Sequence, residues 1–300
     1  MTTATVGRNP ASVTAAKLRA TGISRRRRLR NHFATALMWA AFLAAALPLV
    51  FIVFYVVRAG MHLFSYDFLI TNIPIISAQA GPGMAPAVLG TLLITGAAAA
   101  IAVPLGVFGA IYLNEYGKQR PLARFIRLMA DVMTGVPSVV MGLFIYTIWV
   151  LRYGLSGLAG SLALACLMLP IIVRTSEEML RLVPSGLREA SAALGCRTWR
   201  TTVRIVLPAA LPGIISGAML AIARAAGETA PLLFTIGIVS KPNTSLFGAN
   251  TALSAQIFKN AQVPFPAAQD RAWAAALTLV LIVFVFTLVA RVISSRFARK

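Results

Sequence analysis

Carboxylates are scarce in this chain: eight Asp and Glu stand against 28 Lys and Arg in 300 residues, and charged residues of either sign make up only 12%. A polypeptide so poor in charge cannot cover a globule with enough polar surface to stay in water, so a soluble fold is excluded. Cysteine and histidine are equally rare, with two of each. Cys166 lies in an apolar run and Cys196 in a basic loop, which leaves no disulfide framework. His32 and His62 stand apart with no ligand cluster around them, so a metal site is not expected. The catalytic signatures are missing too: there is no G-x-x-x-x-G-K-[ST] phosphate loop, no H-E-x-x-H pair and no G-x-S-x-G elbow. The few acidic residues fall mostly on loops. Any energetic work done through this chain must therefore draw its energy from a partner.

What the sequence has in plenty is apolar length. Hydrophobic residues make up 58%, and the mean hydropathy is +0.80. About 20 apolar residues cross a hydrocarbon core of about 30 Å, and the sequence holds six such runs: Phe33 to Val57, Pro86 to Leu113, Phe125 to Leu151, Ser156 to Val173, Pro208 to Val239, and Trp273 to Ile293. All six read as helices, because an open sheet would leave backbone groups unpaired in lipid. The fold class is thus all-α, a polytopic membrane protein. The first run is too long for a removable signal peptide and has no cleavage pattern behind it. Pro104, Pro137 and Pro170 each interrupt a run and read as kinks.

The basic residues orient the bundle. With the N-terminus taken as cytosolic, the inside segments are the tail, 114–127, 174–204 and the C-terminus, and they hold most of the Lys and Arg. The outside keeps Arg58, Arg152, Lys241, Lys259 and Arg271. The positive-inside rule then places both termini in the cytosol. A net charge of +20 could invite a nucleic-acid partner, but these cations sit at membrane edges beside anionic headgroups and form no polar face, so none is expected. Residues 1–30 form a basic tail without apolar periodicity and read as disordered.

The inside loop 174–204 carries its own pattern. Pro184-Ser185 suits a helix start, and Leu187, Ala190 and Leu194 then fall on one face. Gly195 suits a left-handed end. Thr198 reads as the cap of a second short helix that carries Trp199 and Val203 toward Pro208. Such an amphipathic pair could rest on headgroups or dock a protein, and periodicity alone leaves both open.

The residues of this loop resemble a known family. Glu189-Ala190-Ser191, then Gly195, then Ile205, Leu207 and Pro208 match E-A-A, three residues, G, nine residues, I-x-L-P, with Ser191 the one departure. This pattern is similar to the cytoplasmic loop of permease subunits of bacterial ABC importers of type I (MetI-like). The resemblance implies that Glu189 to Thr202 couples to an ATPase subunit, with Gly195 giving the bend and Trp199 an apolar anchor. Further segments resemble one branch, the phosphate-importer permeases of the PstA type: Gly81 to Thr91, Pro104-Leu105-Gly106 on to Tyr116, Gly135 to Val140, Leu169 to Thr175, and Ala223 to Leu233. The likeness covers roughly residues 80–292 and implies three kinds of partner. They are a homologous second permease (PstC-type), two ATPase subunits (PstB-type) that hold the ATP and Mg this chain does not bind, and an extracytoplasmic phosphate-binding protein (PstS-type). It also implies a bacterial plasma (inner) membrane and no chemistry catalysed by this chain. The implied domains are the tail, a first helix with its external loop over 31–80, and a transport core over 81–300.

The last of those segments also speaks without the family. If lipid begins near Pro212, Arg224 lies about 18 Å along a helix rising 1.5 Å per residue, close to mid-bilayer, where a charge faces a cavity or a partner. Glu228 is one turn on. Ala209, Gly213, Gly217, Ala221 and Ala225 form a small-residue stripe for close packing, and Arg224 borders it, which points Arg224 into the bundle. Gly227 and Pro231 mark a break. Two readings stand: Arg224 and Glu228 neutralise each other as a structural pair, or Arg224, with Glu228 and Gly227, forms the path of an anion. Asp131 reads as hydrogen-bonded to a neighbouring helix near the inner edge. The stretch 240–270 reads as a wet external loop with a short helix over Thr251 to Asn260, where a binding protein would dock. Rival functions are a permease for another oxyanion (sulfate, molybdate, phosphonate) and a stand-alone channel or secondary carrier.

Overall fold

The computed structural model describes residues 25–117 and 120–298; the expectation of a disordered tail falls largely outside them. The described residues up to Tyr55 belong to one unit and those from Val56 to a second. The first unit lies on α1 (Arg25–Gly60), a helix that carries Pro48 inside it and exposes its large apolar side chains, among them Phe33, Trp39 and Phe51. That suits lipid.

The second unit holds α2 (Tyr66–Ile70), α3 (Ala85–Gly117), α4 (Pro121–Gly135) and α5 (Ser138–Tyr153), and α6 (Gly157–Arg181). It continues with α7 (Ser185–Ala193), α8 (Thr198–Ala226), α9 (Ala230–Thr235), α10 (Leu253–Ala261) and α11 (Pro266–Ala298). Among the described residues five helices are long and apolar enough to cross a membrane, and six spans result when the bent pair α4 and α5 counts as one. The polytopic all-α architecture agrees with the sequence reading; several boundaries do not.

The core is built where small residues let backbones meet. Ala98 and Ala102 of α3 face Leu164, Met168 and Ile172 of α6, with Ala221 and Ala225 of α8 completing the cluster. Gly106 leaves so little room that a Cβ there would press on the side chain of Ile172. The stripe on α8 does the same work against α6: Gly213 seats Met179 and Gly217 seats Thr175. Without a hydrophobic force between helices in lipid, such close van der Waals packing holds the bundle.

The three prolines do not all behave alike. Pro104 and Pro170 lie inside continuous helices; packed neighbours around a membrane helix can satisfy the freed backbone groups. At Pro137 the chain turns instead, and α4 meets α5 at 106°. The expected single span Phe125 to Leu151 is therefore a broken pair. Val136, the residue before the proline, is pushed into extended geometry (φ −72°, ψ 128°), as the Pro ring demands. The new direction is held by Gly142, whose missing side chain admits the backbone of Pro231 on α9.

Two further corrections concern the ends of the bundle. The second helix of the basic loop is no separate piece, since Thr198 begins α8, which runs without interruption to Ala226. A π-helical turn, Thr202–Val206, precedes Pro208, which has no N–H to offer. The stretch 240–270 is wet only at its flanks, where 244–245 and 264–266 are exposed; at its centre Asn250, Thr251, Ala252, Leu253 and Gln256 are buried. Leu253 N–H donates to Thr91 Oγ1 at 2.8 Å, and the carbonyls of Leu246 and Gly248 accept the N–H groups of Leu158 and Gly157 at the start of α6, where a helix has unsatisfied donors. The short helix runs from Leu253 to Ala261. Arg271 pins the same end by donating to the carbonyls of Ser77 and Gln79, both at 2.6 Å.

Gly90 carries the tightest of these contacts, since a Cβ there would overlap the carbonyl of Thr251. Gly90→Val should remove folded protein from the membrane fraction, as judged by size-exclusion chromatography in detergent. Gly96→Ala on the same helix, where nothing lies within 4 Å, should not.

Candidate functional site

Two sites emerge at different depths. The deeper one forms where α8 stops. Ala225 and Arg224 carbonyls accept from Glu228 and Gly227 N–H, both at 3.1 Å, the helix ends at Ala226, and three residues later Thr229 opens α9. The break expected at Gly227 is thus present. Beside it the corner at Pro137 opens a cavity of about 310 Å³, whose wall includes Thr134, Pro137, Ser138, Met168, Arg224 and Glu228.

Arg224 does not point into the packed interior. Its side chain is 71% exposed, whereas Glu228 is 22% exposed, and the Arg224 Nε lies 3.8 Å from Glu228 Oε1. That contact is long for a charge-assisted hydrogen bond. The correction follows from packing: the stripe residues Ala221 and Ala225 are buried, and Arg224, next to them on the helix wheel, falls on the rim. A guanidinium held loosely by one carboxylate on an open cavity has donors to spare for an anion. Asp131 meets Arg174 of α6 by an ion pair, in keeping with its reading as a residue bonded to a neighbouring helix.

The shallower site is the loop of α7 and the first turns of α8. Helix α7 closes with a complete left-handed cap: Gly195 has φ +74°, Gly195 N–H donates to Ala192 O at 2.9 Å, and Cys196 N–H to Ser191 O at 3.1 Å. This is the geometry in which glycine costs least. Ser191 is buried, and its Oγ meets Thr201 Oγ1 at 2.7 Å, so the departure from E-A-A supplies a bond between the two arms of the loop. The face carrying Leu187, Ala190 and Leu194 is exposed, and so are Trp199 and Val203. Arg200 stacks over Trp199 at 5.4 Å from the ring centroid. Glu189 is exposed and, among the described residues, forms no ion pair. Leu207 and Pro208 lie on α8 beyond the π turn. Large apolar side chains thus stand exposed on both arms of the loop.

Sequence reasoning missed the carboxylates that hold this end together. Glu115 and Glu177 are not loop decoration, since their side chains are 6% and 2% exposed. Glu177 accepts from Arg127 Nε at 2.7 Å and Arg181 at 3.2 Å, and Arg127 also donates to Leu113 O at 2.8 Å. The one available signal was their rarity. With eight carboxylates in the chain, each buried one must be paired, because a lone charge out of water is too costly.

Residues 102–300 match the family described as binding-protein-dependent transport system inner membrane component. The chain is 43% identical over 273 residues to the phosphate transport system permease protein PstA 1 of Mycobacterium tuberculosis, covering 89% of this chain and 90% of that one. It is 43% identical over 275 residues to the PstA permease of Yersinia pestis, covering 91% and 92%. In fold it resembles a chain of a bacterial ABC transporter that imports the polysaccharide alginate, with a TM-score of 0.64 at 15% identity over 90% of this chain and 99% of that one. The match over residues 102–300, together with relatives aligned along nearly their whole length, makes this chain a member of the binding-protein-dependent inner membrane transport components, in the branch of the PstA-type phosphate permeases.

Proposed function

We propose that this chain is the permease subunit through which an ATP-driven importer passes inorganic phosphate. The observation that carries the reading is Arg224, a cation at the end of α8 loosely held by Glu228 on the open wall of a cavity. Phosphate takes charge-assisted hydrogen bonds from a guanidinium in fork geometry, and Glu228 keeps that grip weak enough for release. A second, homologous permease closes the open side of the cavity. Both termini and the α7 loop face the cytosol, in line with the distribution of Lys and Arg. Two ATPase subunits, which hold the ATP and Mg, seat on Leu187, Ala190, Leu194 and Trp199, with Glu189 at the edge of the contact. Closure of the ATPases draws on the loop and turns the core outward, where a phosphate-binding protein delivers its cargo on the packed face formed by 240–270. The names of the relatives, phosphate transport permeases, support the choice of anion.

The test is uptake of radiolabelled phosphate into proteoliposomes holding all subunits. Unlabelled phosphate should compete, while equal concentrations of sulfate, molybdate and a phosphonate should not. Competition by one of those would assign the path to that oxyanion, and uptake that persists without the ATPase subunits would make the protein a channel or gradient-driven carrier.

A further inference from the structure

The α7 loop has few attachments to the bundle. Apart from Arg188 and the buried Ser191, residues 184–200 are exposed. Ser191 ties the loop to itself through Thr201, ten positions on. The Arg188 side chain does something else. Its Nη2 donates to Glu115 Oε1 at 2.9 Å, and its Nε lies 3.3 Å from both Glu115 oxygens. The remaining donors close the end of α6, with Nη1 to Val183 O at 2.7 Å and Nη2 to Leu180 O at 2.8 Å. Glu115 is further fixed by Asn114 Nδ2 at 2.7 Å. Arg188 is 23% exposed and Glu115 6%.

We propose that the Arg188–Glu115 pair is the latch that carries displacement of α7 into the transport core. This rests on the reading of the α7 loop as the ATPase docking element, and it adds the route by which motion leaves that loop. The residues are 73 positions apart, so the pair joins the loop to an element that the chain does not connect to it directly. Glu115 stands in a π-helical turn, Tyr112–Gly117, at the end of α3, and α3 packs along α6 through Ala98, Ala102 and Ile172. A pull on α7 therefore reaches both long helices at once. An exposed ion pair would give way to water and salt; a carboxylate with its side chain 6% exposed is costly to leave without the arginine that, among the described residues, is its ion-pair partner. The π turn is a one-residue slip in the helical ladder, a form that recurs at functional sites. Arg188 and Glu115 are positioning residues and touch no substrate.

The test uses the assembled importer in proteoliposomes. Glu115→Gln and Arg188→Gln should lower phosphate uptake about tenfold or more, within the range usual for coupling between sites. The ATPase subunits should co-purify in wild-type amounts and go on hydrolysing ATP. In a background with Cys166→Ser and Cys196→Ser, Glu115→Cys with Arg188→Cys should behave likewise until the thiols are bridged by a bis-methanethiosulfonate spacer. Bridging should restore uptake, and reduction should abolish it again. Wild-type uptake in the Gln variants, loss of the ATPase subunits from them, or no recovery on bridging would each overturn the latch. Trp199→Asp keeps the docking question separate. It should shed the ATPase subunits with the pair intact, and full retention in that variant would instead defeat the docking reading.

Discussion

Arg224→Gln should reduce phosphate uptake roughly 10²-fold while the complex still assembles. Two charge-assisted hydrogen bonds to an anion are each worth about 1.5–3 kcal/mol, and losing even part of that sum in the path is a factor of this size. Assembly should survive because the side chain is largely exposed and its one ion pair is long, at 3.8 Å. Uptake at the wild-type rate would sink the assignment. A double-mutant cycle separates the two roles that the residue could have. If Arg224 and Glu228 only neutralise each other, the damage in either single variant should be relieved when both become Gln. If Arg224 holds the anion, Arg224→Gln with Glu228→Gln should transport no better than Arg224→Gln alone.

Gly195→Val should uncouple the importer, with ATP hydrolysis continuing while uptake falls severalfold or more. Nothing lies within 4 Å of a Cβ at this position, so crowding plays no part. The effect is one of backbone alone: at φ +74° a β-branched residue is strained by about 1–3 kcal/mol, and an exposed loop relieves such strain by moving. The two bonds that close α7, from Gly195 and Cys196 N–H, would open, and the surface carrying Leu194 and Trp199 would change its angle. Gly195→Asn is the control, since Asn tolerates the left-handed region and should retain most of the coupling. Normal transport by the Val variant would show that the turn does not set the coupling geometry.

What could be read before the structure, and what could not, follows the range of the forces involved. The turn at Gly195 and the break at Gly227 were legible because backbone preference is local. The third span shows the limit of that rule. Pro104, Pro137 and Pro170 look alike in sequence, yet Pro137 alone turns the chain through 106°, because there the glycine at 142 lets α5 seat on Pro231. The centre of the stretch 240–270 misled for a related reason. Its polar composition suits water, but Asn250, Thr251 and Gln256 are buried because Thr91 and the start of α6 offer them bonds.

The sites divide along the same line. Glu189, Gly195, Trp199 and Pro208 stand in a short spacing that can be read directly, and Arg224 and Glu228 are one helical turn apart. The pairing of Arg188 with Glu115 was not legible, since a contact 73 residues apart has no signature in a linear pattern. The outward rim position of Arg224 was likewise decided by which neighbours filled the α8 stripe. The sequence by itself determined that this is a multi-span helical membrane protein, that the chain turns at Gly195 and breaks at Gly227, and which residues could meet an anion or an ATPase, because hydropathy, glycine and proline act within a turn or two. Only the tertiary structure decided where the third span bends, which face of α8 opens on the cavity and how α7 is fastened to α3. Those outcomes depend on partners that the chain brings together from tens of residues away.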